Sequence, residues 1–317
     1  MMQPARGSFE TSRLPKATNS LRVWAGVSLL GVVLFAGVTA QAAPKLAAPS
    51  GVAGIGTGMA PGQDKRAWME LGLHTRSEVT TFSPVFGFGL FIAPAVEAEA
   101  ILPLSYSSVD FNNNFGADFS ESESSLFNPY LGVNWLEGSL GERLRFSAGL
   151  TLPVGSVPND APFAELAAHG LNVATAEGIR GRQDPFLWAD DTLTVLGRVR
   201  YERGRQTVMS FEGTPMIFIP TADGDTRDTD VGVLPAVEFG TYLNPRTLVG
   251  GRLSFFWLIS GGSDTDNAQL ALTPFIRHQF GTWFVHSRLT VNLDGPYGFA
   301  FESDGVWGLI LGGGASF

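Results

Sequence analysis

From Arg66 to the last residue, apolar and polar positions alternate with a period of two. Between 283 and 293, Trp283, Val285, Ser287, Leu289, Val291 and Leu293 share one face, and Phe284, His286, Arg288, Thr290 and Asn292 share the other. Leu144, Phe146, Ala148, Leu150, Leu152 and Val154 likewise alternate with Arg143, Arg145, Ser147, Gly149, Thr151 and Pro153. A 3.6-residue period is absent from both, so the pattern predicts strands with one apolar and one polar face. Twelve are predicted, at 66–76, 84–92, 95–107, 127–136, 142–155, 191–203, 206–219, 230–243, 247–259, 268–281, 283–294 and 305–317.

The predicted connectors alternate in length. Short turns fall at Ala93-Pro94, Glu137–Gly141, Gly204-Arg205, Asn244–Arg246 and Gly281-Thr282; longer loops fall at 77–83, 108–126, 156–190, 220–229, 260–267 and 295–304. An even strand number with short turns at one end and long loops at the other is the pattern of an up-and-down transmembrane β-barrel. Closure also gives every backbone N–H and C=O a partner within lipid. A soluble β-sandwich would alternate too, but has no reason to sort its connectors by length. Aromatic residues gather near strand ends: Trp135, Tyr201, Phe280, Trp283 and Phe317 at the short-turn end, Tyr106, Trp257 and Trp307 at the long-loop end. They fit the two interfacial girdles of a membrane barrel. Pro215, Pro235 and Pro274 fall inside predicted strands, where a missing N–H leads us to expect bulges or a shifted register.

The beginning of the chain is different. Arg6, Arg13, Lys16 and Arg22 precede an apolar run from Val23 to Val38, which ends in Ala40-Gln41-Ala42. That order predicts a secretory signal peptide at 1–42, followed by a flexible Ala/Gly/Pro-rich periplasmic leader at 43–65 and the barrel at 66–317. The whole chain of 317 residues carries a net charge of −9; four basic residues and Glu10 leave with the signal, so −9 becomes −12. This acidity argues against nucleic acid as a partner, which calls for a basic surface. The absence of cysteine removes thiol catalysis and Cys-based zinc sites.

The last stretch, Val306-Trp307-Gly308-Leu309-Ile310-Leu311-Gly312-Gly313-Gly314-Ala315-Ser316-Phe317, resembles the final strand of Gram-negative outer-membrane proteins. The resemblance implies that Phe317 is a recognition signal for the barrel-insertion machinery. Three shorter stretches, Val96–Tyr106, Asn128–Trp135 and Phe146–Ser156, are similar to transporter barrels of the aromatic meta-cleavage (phenol degradation) pathway family. This narrower likeness implies passage of small molecules rather than a named ligand.

A charged side chain facing lipid at mid-depth costs about 2–4 kcal/mol, so the strand charges are expected to face inward. Glu97, Glu99, Arg143, Arg145, Arg198, Arg200, Glu212, Glu238, Arg252, Arg277 and Arg288 are therefore expected to line the lumen, together with Glu70 and Glu202. Opposite signs on neighbouring strands, such as Glu238 and Arg252, read either as paired charges filling the interior or as a constriction that selects solutes. Loop 156–190 contains Pro162–Leu171 with helical spacing, and reads either as a short helix over or in the mouth or as an unstructured surface loop. Asp223, Asp225, Asp228, Asp230, Asp264 and Asp266 read as solvated loop acids, with a divalent-cation role open.

No His-x-Ser pair places a base and a nucleophile on one strand face, because His74, His169, His278 and His286 all lack a serine two residues on. The expected function is passage of small solutes across the outer membrane, without catalysis, cofactor or metal. Membrane lipids, the insertion machinery and a solute are its expected partners. A non-conducting structural or surface-interaction barrel is the alternative, and a lipid-modifying barrel enzyme the third reading.

Overall fold

The structure, a computed structural model, describes residues 65–76, 78–112, 118–139, 141–155, 161–222, 228–260, 267–294, 300, 302 and 305–317. The expected signal peptide, the leader up to residue 64, and Asp223, Asp225, Asp264 and Asp266 lie outside the described residues.

The strands are β1 (Lys65–Thr75), β2 (Val79–Ala93), β3 (Val96–Asn112), β4 (Asp118–Leu126), β5 (Tyr130–Ser139), β6 (Glu142–Thr151), β7 (Thr192–Gly204), β8 (Thr207–Pro220), β9 (Asp230–Asn244), β10 (Thr247–Leu258), β11 (Ala268–Phe280), β12 (Trp283–Asn292) and β13 (Trp307–Ser316). Among the described residues between β6 and β7 lie a helix, α1 (Phe163–Ile179), and a short 3₁₀ turn (Pro185–Leu187). Sequential strands pair antiparallel, and β1 closes the circle on β13 with Arg66 opposite Ser316 and Leu73 opposite Leu309. β4 and β5 pair with successive halves of β3, Leu104–Asn112 and Val96–Ile101. They form one interrupted stave, so thirteen strands make a closed barrel of twelve staves.

Side-chain alternation sets the two faces. Leu131, Val133 and Trp135 of β5 are exposed, as are Val195 and Val199 of β7, Val237 and Phe239 of β9, and Leu272 and Ile276 of β11. Phe280, Phe317 and Trp257 are exposed at strand ends, as a lipid-facing girdle requires. Trp307 departs from this: it is only half-buried and turns toward the inward His74, the rings meeting edge to face at 5.5 Å.

Two expected loops are largely strand. The connector predicted at 77–83 shrinks to Arg76–Glu78, because β2 begins at Val79 and continues straight through Pro84. The loop predicted at 108–126 is mostly the β3–β4 hairpin, with Ser107 opposite Glu123 and Val109 opposite Glu121. Its Ser/Glu alternation is polar on both faces, so no apolar periodicity marked it as strand.

The strand prolines do not bulge. Pro215 leaves a gap in the β7–β8 ladder between Leu196↔Met216 and Val199↔Gly213, and the register is the same on both sides. Pro235 and Pro274 leave equivalent gaps against β10 and β12. Each proline lacks one donor toward one neighbour, while its opposite edge stays paired: Pro235 with Gly213, Pro274 with Gly251. Intact pairing on either side of the gap carries the strand across it. Register shifts occur instead beside short turns, at Phe91/Ala93 and Thr247/Leu248.

Candidate functional site

The stave formed by β4 and β5 breaks at Phe127–Pro129, and there the polypeptide between β6 and β7 enters the barrel. Asn128 holds the entry. Its side-chain oxygen accepts from the N–H groups of Val154 (3.1 Å) and Gly155 (3.2 Å), and its amide donates to the carbonyls of Ala189 and Thr192. One side chain thus ties both ends of the 152–191 connector to the wall. The expectation of a short helix folded over or into the mouth is met, and α1 runs eight residues further than the 162–171 pattern suggested.

Helix α1 begins after Pro162, an extended residue whose ring fixes φ and which lacks an N–H to leave unpaired, and carries Glu165 in its first turn, where the helix dipole favours negative charge. It ends at Ile179 and is closed off by Gly181, which adopts φ +57 while its N–H donates to the carbonyl of Gly178 and that of Arg182 donates to the carbonyl of Glu177. A side chain at Gly181 would also meet Ala271 of β11 at 2.5 Å, so the turn needs glycine for conformation and for close approach to the wall. The helix contacts β1, β2, β3, β4 and β13. Ser105 and Ser107 of β3 both donate to Asn172 Oδ1, at 2.6 and 2.7 Å. Asn292 of β12 donates to the carbonyl of Gly178 at 2.8 Å.

Below the helix the chain turns through Arg180–Asp184, all of it buried or nearly so. Glu70 of β1 receives Arg180 (2.8 Å) from this segment together with Arg288 (2.6 Å) and His286 (3.1 Å) from β12. Gln183 donates to Thr273 of β11 at 2.7 Å, and Arg182 stacks over Phe256 at 5.1 Å. Phe186, Leu187 and Trp188 then pack with Trp68, Tyr130, Leu196, Met216, Phe218, Leu234 and Phe284. This is an apolar core inside the barrel, made jointly by the connector and the wall. We refer to 161–191 as the plug.

Toward the short-turn end the expected charges meet one another. Glu97 receives Arg66 and, at 3.2 Å, Arg145; Glu99 receives Arg66 at 2.7 Å; Asn134 donates to both carboxylates at 3.0 and 3.2 Å. Across the barrel, Glu212 receives Arg252 (3.0 Å), Arg200 (3.3 Å) and Arg198 (3.7 Å), and Arg200 also reaches Glu238 at 3.1 Å. Arg252 stands opposite Glu238 in register, as its sequence position suggested, yet also reaches past it to Glu212. Arg277 lies over the Phe284 ring at 4.9 Å, and Arg143 is half-buried opposite Glu202. Glu97 and Arg252 are each 2% exposed, Arg277 and Arg288 3%. Such groups touch other side chains rather than a wide column of water.

Sequence reasoning missed Arg66, Arg180, Gln183, Asp184 and Asn172. Arg66 sat at an uncertain strand end. The polar run Arg180–Asp184 between two apolar stretches was a usable signal, since a surface loop has no need of the Phe186–Trp188 segment that follows.

At the mouth, His169 of α1 lies 3.0 Å from Asp190, 3.3 Å from Glu123 and 3.4 Å from the Ser125 hydroxyl. The set has the members of a Ser-His-Asp triad but not its wiring. Ser125 donates to Glu123 at 2.6 Å, and Glu123 shares the imidazole nitrogen that would have to accept the serine proton. Among the described residues no group of three or more His, Asp or Glu side chains is placed to hold a metal ion.

No protein-family model matches the sequence, and no curated protein is significantly similar to it. Solved structures do resemble it. An outer-membrane channel from Pseudomonas putida F1 aligns over 82% of this chain and 97% of its own, with a TM-score of 0.55 and 12% identity. The β domain of the Bordetella autotransporter BrkA covers 80% of this chain and 99% of its own at 12% identity and a TM-score of 0.44. The Ralstonia pickettii toluene transporter TbuX covers 81% and 90% at 8% identity and a TM-score of 0.37. The last two share the barrel only in outline. The fold is therefore that of the Gram-negative outer-membrane β-barrels.

Proposed function

We propose that this chain passes small solutes across the outer membrane, and that the plug is its gate. The observation that carries the reading is the origin of the material in the lumen: one contiguous connector on the long-loop side, joined to the wall by hydrogen bonds, ion pairs and packing. Material of that kind can leave as a unit, whereas an interior filled by wall side chains cannot. Beneath it lies a layer of paired Arg and Glu, a polar path through which a solute would travel once the plug moves. In this reading Glu97, Glu99, Arg143, Arg145, Arg198, Arg200, Glu212, Glu238, Arg252, Arg277 and Arg288 line the route. Outer-membrane lipids solvate the apolar exterior, and Phe317, on that exterior, serves the insertion machinery.

The resemblance to transporter barrels of aromatic meta-cleavage pathways suggests placing aromatic solutes beside sugars and ions in an uptake series. The test is planar-bilayer conductance of the wild type and of a variant in which 161–188 is replaced by a short Gly/Ser turn. Rare openings in the first and sustained unit conductance in the second are expected. A folded barrel that conducts in neither form would favour the alternative, a non-conducting structural or surface-interaction barrel. The low exposure of the Arg/Glu layer is the observation on that side.

A further inference from the structure

The gate reading leaves open what holds the outer part of the plug in place. Three elements converge on one side chain there. His169 is buried at the mouth, with β4 on one side and the return segment 189–191 on the other. Nδ1 faces Glu123 (3.3 Å) and Ser125 (3.4 Å), Nε2 faces Asp190 (3.0 Å), and the ring stacks on Phe127 with centroids 5.8 Å apart. Only the doubly protonated ring can donate from both nitrogens at once. A neutral imidazole can satisfy one carboxylate and turns a lone pair toward the other.

We propose that His169 is a proton-operated latch: as imidazolium it clamps α1 to β4 and to the return segment, and loss of its proton frees the mouth of the plug. The latch rests on the reading of 161–191 as a plug.

Among the described residues, β2 and β3 meet this part of α1 through hydroxyl groups and apolar side chains. β3 presents Ser105 and Ser107 to the helix, and β2 presents Thr81, bonded to Ser107 at 2.7 Å. On α1 itself Glu165 lies one turn earlier and is exposed. β1, β12 and β13 meet the plug at its other end. The titratable groups there, Glu70, Arg180, Arg288 and His286, lie against one another, and His74 faces Trp307. Burial pulls the His169 pKa down, but the hydrogen bond and charge of Asp190, followed by those of Glu123, outweigh it and raise the value above that of an ordinary imidazole. A raised folded-state pKa means the clamp is complete below the ordinary value and is given up as pH rises through the raised one.

The chain has no cysteine, so spin labels can be placed singly. Gly170 is exposed on α1, and a Cβ there would meet nothing within 4 Å; Ser122 is exposed on β4. Labels at Gly170→Cys and Ser122→Cys, read by pulsed dipolar spectroscopy in liposomes from roughly pH 5 to pH 9, report the helix-to-wall distance. One narrow distance at low pH is expected, broadening as pH rises, with a midpoint above that of free histidine. His169→Gln should abolish the transition, and Asp190→Asn should move its midpoint to lower pH while leaving a folded barrel. A distance that ignores pH, or a His169→Gln protein that titrates like the wild type, overturns the latch. Bilayer conductance over the same range separates the two readings. A pH-dependent distance without pH-dependent openings would sink the gate and keep the latch, whereas a pH-independent distance with a conducting plugless barrel would sink the latch and keep the gate.

Discussion

Arg145 on β6 stands directly opposite Arg200 on β7, two inward guanidinium groups paired across one ladder. Like charges placed this way repel, and the barrel offsets the repulsion from both flanks. Glu97 takes Arg145 from the β3 side, and Glu212 and Glu238 take Arg200 from the β8 and β9 side. Glu97 is thereby committed to two arginines and Glu212 to three.

The first prediction follows from that commitment. Glu212→Gln leaves Arg198, Arg200 and Arg252 short of a countercharge in a buried layer. Removing one partner from a buried ion pair typically costs about 3–5 kcal/mol. The folded barrel should lose its compact gel mobility in detergent at a clearly lower temperature than the wild type. Glu121→Gln, at an exposed position on β4, should leave that temperature unchanged. Equal midpoints for the two variants would mean that the charged layer contributes little to holding the wall together.

A second prediction concerns the seat of the plug. A Cβ at Gly308 of β13 would lie 2.5 Å from Ile179 Cγ2 and 2.6 Å from its Cα, at the last turn of α1. Gly308→Val should push the helix off the wall. Overpacking of this kind costs about 1–3 kcal/mol, enough to raise the unseated population by roughly tenfold. Openings in planar bilayers should become correspondingly more frequent while the barrel remains folded. Unchanged opening frequency in a folded Gly308→Val barrel would argue that the α1–β13 contact does not hold the gate.

Much of this architecture could be read from the chain. Strand alternation gave all twelve staves, because one face of each must meet lipid and the other must not. The sign and spacing of the charges placed Glu97, Arg145, Arg200, Glu212 and Arg252 on polar strand faces, and in the structure they are buried together. Two things escaped. The end of the β3–β4 hairpin is dominated by Ser, Glu and Asp on both faces, so its periodicity carried little contrast. The depth of the plug depends on which distant wall residue meets Arg180, and Glu70 lies 110 positions earlier. Periodicity is a local signal and contains no such pairing. The strand prolines misled in the opposite direction: a missing donor suggested a bulge, but a ladder anchored on both sides of the gap has no need to slip.

The third prediction uses Gly170. It sits within α1, where glycine costs roughly 0.5–1 kcal/mol relative to alanine through backbone entropy, and nothing occupies the space its Cβ would fill. Gly170→Ala should stiffen the plug helix without touching the wall. Openings should become a few-fold rarer and the barrel's thermal midpoint should stay the same or rise slightly. More frequent openings would mean that the helix must bend at Gly170 to seat.

The last prediction addresses selectivity. Arg198 on β7 stands opposite Ser147, donates to Thr214 at 3.2 Å and lies 3.7 Å from Glu212. If the layer beneath the plug is the solute path, its charge balance sets which ions pass once the plug is gone. In the plugless barrel, Arg198→Gln removes one positive charge from that path, and Arg198→Glu reverses it. The reversal potential in a salt gradient should move toward cation preference, further for Glu than for Gln. Arg198→Glu also sets two carboxylates against each other beside Glu212, so its fold is the less secure of the two, and the Gln variant is the cleaner measurement. Selectivity identical to that of the unsubstituted plugless barrel would take Arg198 out of the conducting route and leave it only a part in wall packing.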